Sequence, residues 1–207
     1  MWQNTSHIAT GMTDARRGPE GNVTTERRTT AVTPLRVQHL VINVRDMEES
    51  HRFYTEVLGF EQVAELDQRP RMHMRFYKGG TDNHHDLALA AVRDASALPE
   101  PAEWSMVARQ LGLNHMAVQY PDRESWLKQV EHLQACGVKF HIRGEHGMSH
   151  SVYISDPNGY GIEVLYDLPE EVYEGDVNAA FNYFKPLPTE GPGALEDGVD
   201  NPVFGKA

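Results

Sequence analysis

Residues 37–44 read VQHLVINV and residues 113–120 read LNHMAVQY, and the likeness of these two stretches decides the fold. Each alternates apolar and polar side chains with the period of two that a half-buried strand requires. Each is followed at the same distance by an aspartate, Asp46 or Asp122, placed to cap a helix. The helical patterns then end at VLGFEQV and ACGVKFH, where Gly59 and Gly137 supply the stop. After the first helix, FEQVAELDQ, RMHMRFYKG and HDLALAAV read as strands; after the second, VKFHIRGE, HSVYISD and GYGIEVLYD do so. A repeat of this length means two copies of one βαβββ unit, each with an open sheet that must bury one face. The expected class is therefore α+β, with modules at 35–93 and 111–168 forming a domain over 35–168 and joined by a connector at 94–110.

The rest of the chain is less patterned. Residues 1–34 are rich in Thr, Arg, Gly and Asn without periodicity and read as an extended arm. The connector, with its prolines and two apolar patches, is long for a structureless loop, so a short helix or a cover over the cleft is expected. Residues 169–207 read as a tail with one short helix, its Tyr173, Phe181, Tyr183 and Phe184 packing back on the body.

Composition excludes several functions. Of the 207 residues, 40% are apolar and 24% charged, as in soluble globular proteins. The net charge of −11 argues against a nucleic-acid partner, because a polyanion rewards a basic face. No stretch approaches the ~20 apolar residues of a membrane span, and the beginning lacks secretory or transit features, so a cytoplasmic location is expected. The single cysteine, Cys136, excludes an internal disulfide or a cysteine-based zinc site and reads as a packed core thiol. The eleven histidines are the unusual feature.

Two of those histidines, His39 and His115, occupy the same point of the repeated first strand. The last strand of the second module offers Glu163 between Ile162 and Val164. A carboxylate inside an apolar strand is unfavourable unless paired or metal-bound. A lone histidine in an apolar strand is ordinarily a hydrogen-bonded core residue, but repetition together with the glutamate favours a ligand role. Two neutral imidazoles and one carboxylate form the facial set of non-haem Fe(II) oxygenases.

The stretch 144–163, GEHGMSHSVYISDPNGYGIE, adds a specific pattern: Gly144, His146, Val152, Tyr153, Asp156, Pro157, Gly159 and Glu163. In these residues the chain resembles the type I extradiol ring-cleavage dioxygenases of the vicinal-oxygen-chelate superfamily, over roughly 37–166. The resemblance implies a half-open mixed β-barrel around a metal, built from the two modules, with His39, His115 and Glu163 holding Fe(II) or Mn(II). It also implies catechol and O₂ as substrates and a homo-oligomer. By the same resemblance His85, in NHHDLAL, is the acid–base histidine beside O₂, His146 hydrogen-bonds substrate, and Tyr153 contacts a diol oxygen. One departure is the long gap between His85 and His115. His150 is a weaker candidate for the pocket, and His51, His73, His132 and His141 read as surface or packing residues.

Two competing readings follow from the same architecture. A non-redox enzyme resembling glyoxalase I would need a fourth ligand from HDLALAAV, where Asp86 is the one carboxylate. A metal-free binding protein resembling the bleomycin-resistance proteins would not need the repeated histidines.

Overall fold

The Asp46 carboxylate accepts a hydrogen bond from Glu49 N at 2.9 Å, and that of Asp122 accepts one from Ser125 N at 2.7 Å, so both module helices start at the expected caps. The structure is a computed structural model that describes residues 31, 33–69, 72–107 and 111–205; the expected arm, 1–34, lies almost wholly outside the described residues. Val37–Ala207 is one compact unit.

The first module runs β1 (Leu40–Val44), α1 (Met47–Arg52), a π-helical turn (Phe53–Val57), β2 (Glu61–Arg69), β3 (Met72–Lys78) and β4 (Leu87–Ala91). The second runs β5 (His115–Gln119), α2 (Arg123–Ala135), β6 (Ile142–His146), β7 (Ser149–Ser155) and β8 (Gly161–Asp167). Each forms one mixed sheet, in the order β1-β4-β3-β2 and β5-β8-β7-β6, and in both the first and last strands pair in parallel. The helices stop where Gly59 and Gly137 adopt φ of 79° and 74°, a conformation that disfavours residues with a Cβ. The fold is α+β, as the repeat implied.

One face of each sheet joins a common core. Ile42, Val44, Leu87 and Leu89 pack with Tyr54 and Leu58, and the same cluster takes in Trp126, Val130 and Leu133 of α2 with Ile162 and Val164 of β8. Strand alternation therefore turns Val41 and Asn43 to the other face, where Val41 is 47% exposed.

The modules meet at particular ends of their strands. Arg45 N, just after β1, donates to Asn158 Oδ1 at 2.7 Å, and the Tyr160 hydroxyl donates to Asn43 O at 3.1 Å. Both partners belong to the turn that feeds β8. Farther along, Tyr120 Oη donates to Leu58 O at 2.8 Å and Gln129 Nε2 to Val57 O at 2.7 Å.

The structure corrects several expectations. Cys136 is exposed rather than packed, because it is the C-cap of α2 and the apolar stripe continues through Val138 instead. The strand expected from Val138 begins only at Ile142, with Phe140 buried as a plug before it. After Asp167 the chain is no simple tail. It forms α3 (Val177–Phe181) and β9 (Phe184–Pro186), which extends the second sheet by pairing with β6. Asp197 then clasps the body: it accepts from Arg123 Nε at 2.8 Å and Tyr166 Oη at 3.0 Å, and its Oδ1 lies 2.7 Å from His150 Nδ1. Of the tail aromatics, Phe181 is 72% exposed and does not pack back, whereas Tyr183 packs against Phe204.

Candidate metal centre

Glu163 reaches the site from β8, paired with Tyr153 across the strands and with Ala117 on the parallel side. The apolar neighbours Ile162 and Val164 face the core, so the pleat forces the carboxylate to the opposite face. There Oε1 accepts hydrogen bonds from Ser151 Oγ at 2.6 Å and Tyr153 Oη at 2.7 Å. The second oxygen, Oε2, lies 3.3 Å from Nε2 of His115. Adjacent ligands on an ion with bonds of about 2.1 Å stand on the order of 3 Å apart, so this pair has the spacing of two neighbouring ligands on one ion.

The two histidines are oriented in the same way in both modules. His115 Nδ1 donates to Asn114 Oδ1 at 2.7 Å, and His39 Nδ1 donates to Gln38 Oε1. An amide oxygen can only accept, so each ring carries its proton on Nδ1 and offers the Nε2 lone pair. The amides are themselves anchored. Asn114 Nδ2 donates to Met106 O at 2.9 Å, and Gln38 Nε2 to Asn83 Oδ1 at 2.5 Å. The signal in the sequence was the amide residue before each repeated histidine.

Around His115 and Glu163 two of the other expected residues, Tyr153 and His146, gather. His146 Nε2 donates to the Tyr153 oxygen at 3.0 Å, and Tyr153 passes its own proton toward Glu163. Burial pushes the His146 imidazole below its ordinary range, partly offset by the Glu163 carboxylate. Burial likewise raises the Tyr153 phenol, helped by its hydrogen bond to Glu163. Phe184 of β9 lies against His146 with ring centroids 5.0 Å apart.

His85 gathers with His39 instead. Their ring centroids are 4.5 Å apart, and Phe76 stands edge-on to His85 at 5.1 Å. Burial, then the neighbouring charges of His84 and His39, hold His85 below the usual histidine range. Asp86, the possible fourth ligand, is engaged in its own loop, accepting from Gly79 N at 2.9 Å and from Thr81 Oγ1. The structure thus forms two groups, His39 with His85 and His115 with Glu163, Tyr153 and His146. Among the described residues, one set of three potential ligands has all its ligand atoms within 4.8 Å of one another: Glu145, His150 and Asp197. His150 is fully buried there; Lys185, Arg123, Tyr166 and Asn201 pair with the set, while Glu145 Oε1 is buried without a hydrogen-bond partner among the described residues. The set ties the segment around Asp197 to β6, β7 and α2.

Trp104, from the connector, carried no periodic signal in the sequence. It stacks on Tyr153 with centroids 5.8 Å apart and planes 4° from parallel, and stands edge-on to His115 at 6.3 Å. Its indole Nε1 donates to Asn114 O at 2.6 Å, and it lies so close to Gly161 that a Cβ there would come within 2.0 Å of that nitrogen. Beside it opens a cleft of about 750 Å³, lined by Ala102, Val107, Leu111, Asn158 and Tyr160 among others.

Comparison with known proteins agrees with this architecture. The profile of the Glyoxalase/Bleomycin resistance protein/Dioxygenase superfamily matches residues 36–164. A protein of Bacillus subtilis named Catechol-2,3-dioxygenase is 30% identical over 139 residues, covering 65% of this chain and 42% of its own length. This chain thus spans less than half of that relative. A Pseudomonas putida protein named Lactoylglutathione lyase is 27% identical over 161 residues, covering 63% of this chain and 84% of its own. Among solved structures, a glyoxylase/bleomycin resistance protein/dioxygenase domain from Frankia sp. EAN1pec aligns with a TM-score of 0.52 at 16% identity, over 67% of this chain and all of the other. That likeness is one of fold. No described helix is long and apolar enough to cross a membrane.

Proposed function

The chain belongs to the Glyoxalase/Bleomycin resistance protein/Dioxygenase superfamily, and from that premise we propose that it is an Fe(II)-dependent extradiol dioxygenase. It opens a catechol-type ring beside its diol with O₂. Both oxygen atoms enter a hydroxymuconic-semialdehyde-type product, so no external reductant is required. His39, His115 and Glu163 are the proposed ligands; Mn(II) suits the same donor set. The observation that carries the reading is the chain His146–Tyr153–Glu163 beside His115, at 3.0, 2.7 and 3.3 Å. The named relative from Bacillus subtilis supports the same chemistry.

His39, His115 and Glu163 would hold the iron, which would supply the redox chemistry that couples the ring to triplet O₂. The protein's part is to orient the diol and manage its protons. Tyr153 Oη, held by His146 and Glu163, presents its oxygen to a diol hydroxyl. His85 has Nδ1 against Nδ1 of His84; in the tautomer in which His85 donates there, its Nε2 is the acceptor for a catechol proton. His146, whose pKa burial lowers, donates from Nε2 to the Tyr153 oxygen and so orients it. Trp104 excludes water from one side of Tyr153.

The likeness to a lactoylglutathione lyase favours a second reading, a non-redox isomerase or lyase. That reading needs another ligand, and Asp86 is held by Gly79 and Thr81. Anaerobic loading with Fe(II), followed by catechol and air, tests the two. The dioxygenase turns mono- or bicyclic catechols yellow with matching O₂ uptake. Iron-loaded protein that consumes no O₂ across such a panel would end the proposal.

A further inference from the structure

The second sheet carries metal-ligating side chains on its other face as well. Ser151 and Tyr153 of β7 turn to Glu163, so strand alternation turns His150 and Val152 the opposite way. His150 pairs across the strands with Glu145 of β6 and Tyr166 of β8. The tail crosses over these residues and brings Asp197 to them. One ligand atom from each of Glu145, His150 and Asp197 lies within 4.8 Å of the other two. All three side chains are buried, at 2% exposure or less.

The donors around this set take one oxygen of each carboxylate and leave the other. Lys185 Nζ donates to Glu145 Oε2 at 2.9 Å, and Arg123 Nε to Asp197 Oδ2 at 2.8 Å. The Tyr166 hydroxyl has one hydrogen and donates it to the same Oδ2 at 3.0 Å; its oxygen also lies 3.0 Å from His150 Nδ1. Lys185 and Arg123 are 51% and 40% exposed, so water screens both charges from the interior. Arg143, whose Nε is itself without a partner, directs its other nitrogens to Gly193 O and Glu196 O. On the inner side, His150 Nε2 stands 2.7 Å from Asn201 Oδ1. An amide oxygen can only accept, so Nε2 carries the ring proton, and Nδ1 presents its lone pair to Asp197 Oδ1, 2.7 Å away. Two lone pairs at that distance repel unless a proton or a metal ion lies between them. A proton there would serve His150 and Asp197 alone. Glu145 Oε1 would still be buried with no hydrogen-bond partner among the described residues, a costly state for a carboxylate. One cation serves all three.

We propose that Glu145, His150 and Asp197 hold a structural zinc ion, at a site separate from the iron centre and independent of the chemistry performed there. An imidazole with two carboxylates suits zinc, whereas calcium and magnesium ask for about six oxygen ligands. Neighbouring ligands on zinc stand on the order of 3 Å apart, so the contact between Nδ1 and Oδ1 has only to open slightly. The bond from Nε2 to Asn201 is the outer contact that fixes a ligating imidazole. Gly198 lets the tail come this close, since a Cβ there would lie 2.5 Å from Glu145 Oε1. A cleft of about 270 Å³, lined by Glu145, Lys185, Asp197 and Gly198 among others, gives an entry path and a water for the fourth position. The ion joins β6, β7 and the tail at one point. It thereby secures β9, whose Phe184 packs on His146.

The test counts zinc on chains stripped with a chelator, incubated with low-micromolar zinc and desalted, with circular dichroism as the check on folding. E163Q removes a ligand of the proposed iron centre, and E145Q removes one of the zinc site while keeping the shape of the side chain. E163Q should hold about one zinc per chain and E163Q/E145Q almost none. Zinc should raise the unfolding temperature of E163Q and leave that of the double variant unmoved. Should E163Q fail to fold, wild type and E145Q compared directly should still differ by about one zinc per chain. Cobalt(II) in place of zinc gives a readout that needs no change at Glu145: E163Q should show the strong visible bands of a four-coordinate ion. Folded E163Q that takes up no zinc, zinc that E145Q does not remove, or cobalt without those bands overturns the proposal.

Discussion

The hydroxyl of Tyr153 donates to Oε1 of Glu163 at 2.7 Å, on the oxygen that does not face His115. The tyrosine therefore steadies the proposed ligand and leaves its Oε2 free for an ion. Ser151 holds the same oxygen at 2.6 Å, so Tyr153→Phe should keep its iron. Turnover should fall by roughly 10²-fold or more, the usual scale for a removed acid–base or orienting group. Iron content measured beside catechol-dependent O₂ uptake checks this, and full activity would remove Tyr153 from the chemistry.

Gln38 and Asn114 fix the tautomers of His39 and His115. Replacing either by leucine should weaken iron retention by about 10–100-fold while the fold survives, as for other groups that orient ligands. A chelator competition gives the ratio directly. Equal retention in both variants would show that the amides do not set the rings.

Trp104 is both a wall of the pocket and a buried anchor. Trp104→Ala should lower stability by about 3–5 kcal/mol, and Trp104→Phe by less. The Phe variant widens the space beside Tyr153, so its preference should move toward bulkier catechols. Relative kcat/KM for a mono- and a bicyclic catechol is the readout.

His141 lies against Ser155, with Nε2 3.0 Å from Oγ, and burial, then the charge of Lys139, lowers its pKa. The unfolded chain, with a histidine pKa of about 6.5, then binds protons at a higher pH than the folded chain does. Stability must accordingly fall as pH drops through that value toward the folded one. Urea unfolding at pH of about 7.5 and 5.5 should show a larger loss in wild type than in His141→Asn.

Asp197 and His150 are buried partners, with side chains at 0% exposure. Burial alone would raise the Asp197 carboxyl, but bonds from His150, Tyr166 and Arg123 hold it below its ordinary range. Removing one member of such a buried set leaves the others unpaired, so Asp197→Ala should destabilise the fold by about 3–5 kcal/mol. The loss should appear in urea unfolding with the tail released first to protease.

The repeat, the caps at Asp46 and Asp122 and the placement of Glu163 on β8 were all readable from periodicity, because each is a local consequence of spacing. Gln38 and Asn114 were readable too, once the residue before each repeated histidine is compared. Trp104 was not, since a loop residue has no period to betray the side chain it covers. The strand Phe184–Pro186 is too short to alternate. The way the modules meet was hidden for a different reason: a pattern tells which face of a strand is buried and says nothing about which ends of two sheets abut.

That short strand has a consequence for the chain as a whole. β6 would otherwise be the open margin of the second sheet, with the N–H and C=O groups of Ile142–His146 available to any other polypeptide. Three residues, one a lysine and the last a proline without an N–H to offer, close that margin and make a poor template for further addition. A chain shortened at Asp167 would keep every proposed iron ligand and still be the wrong molecule to study, because it would expose a ready surface for clumping.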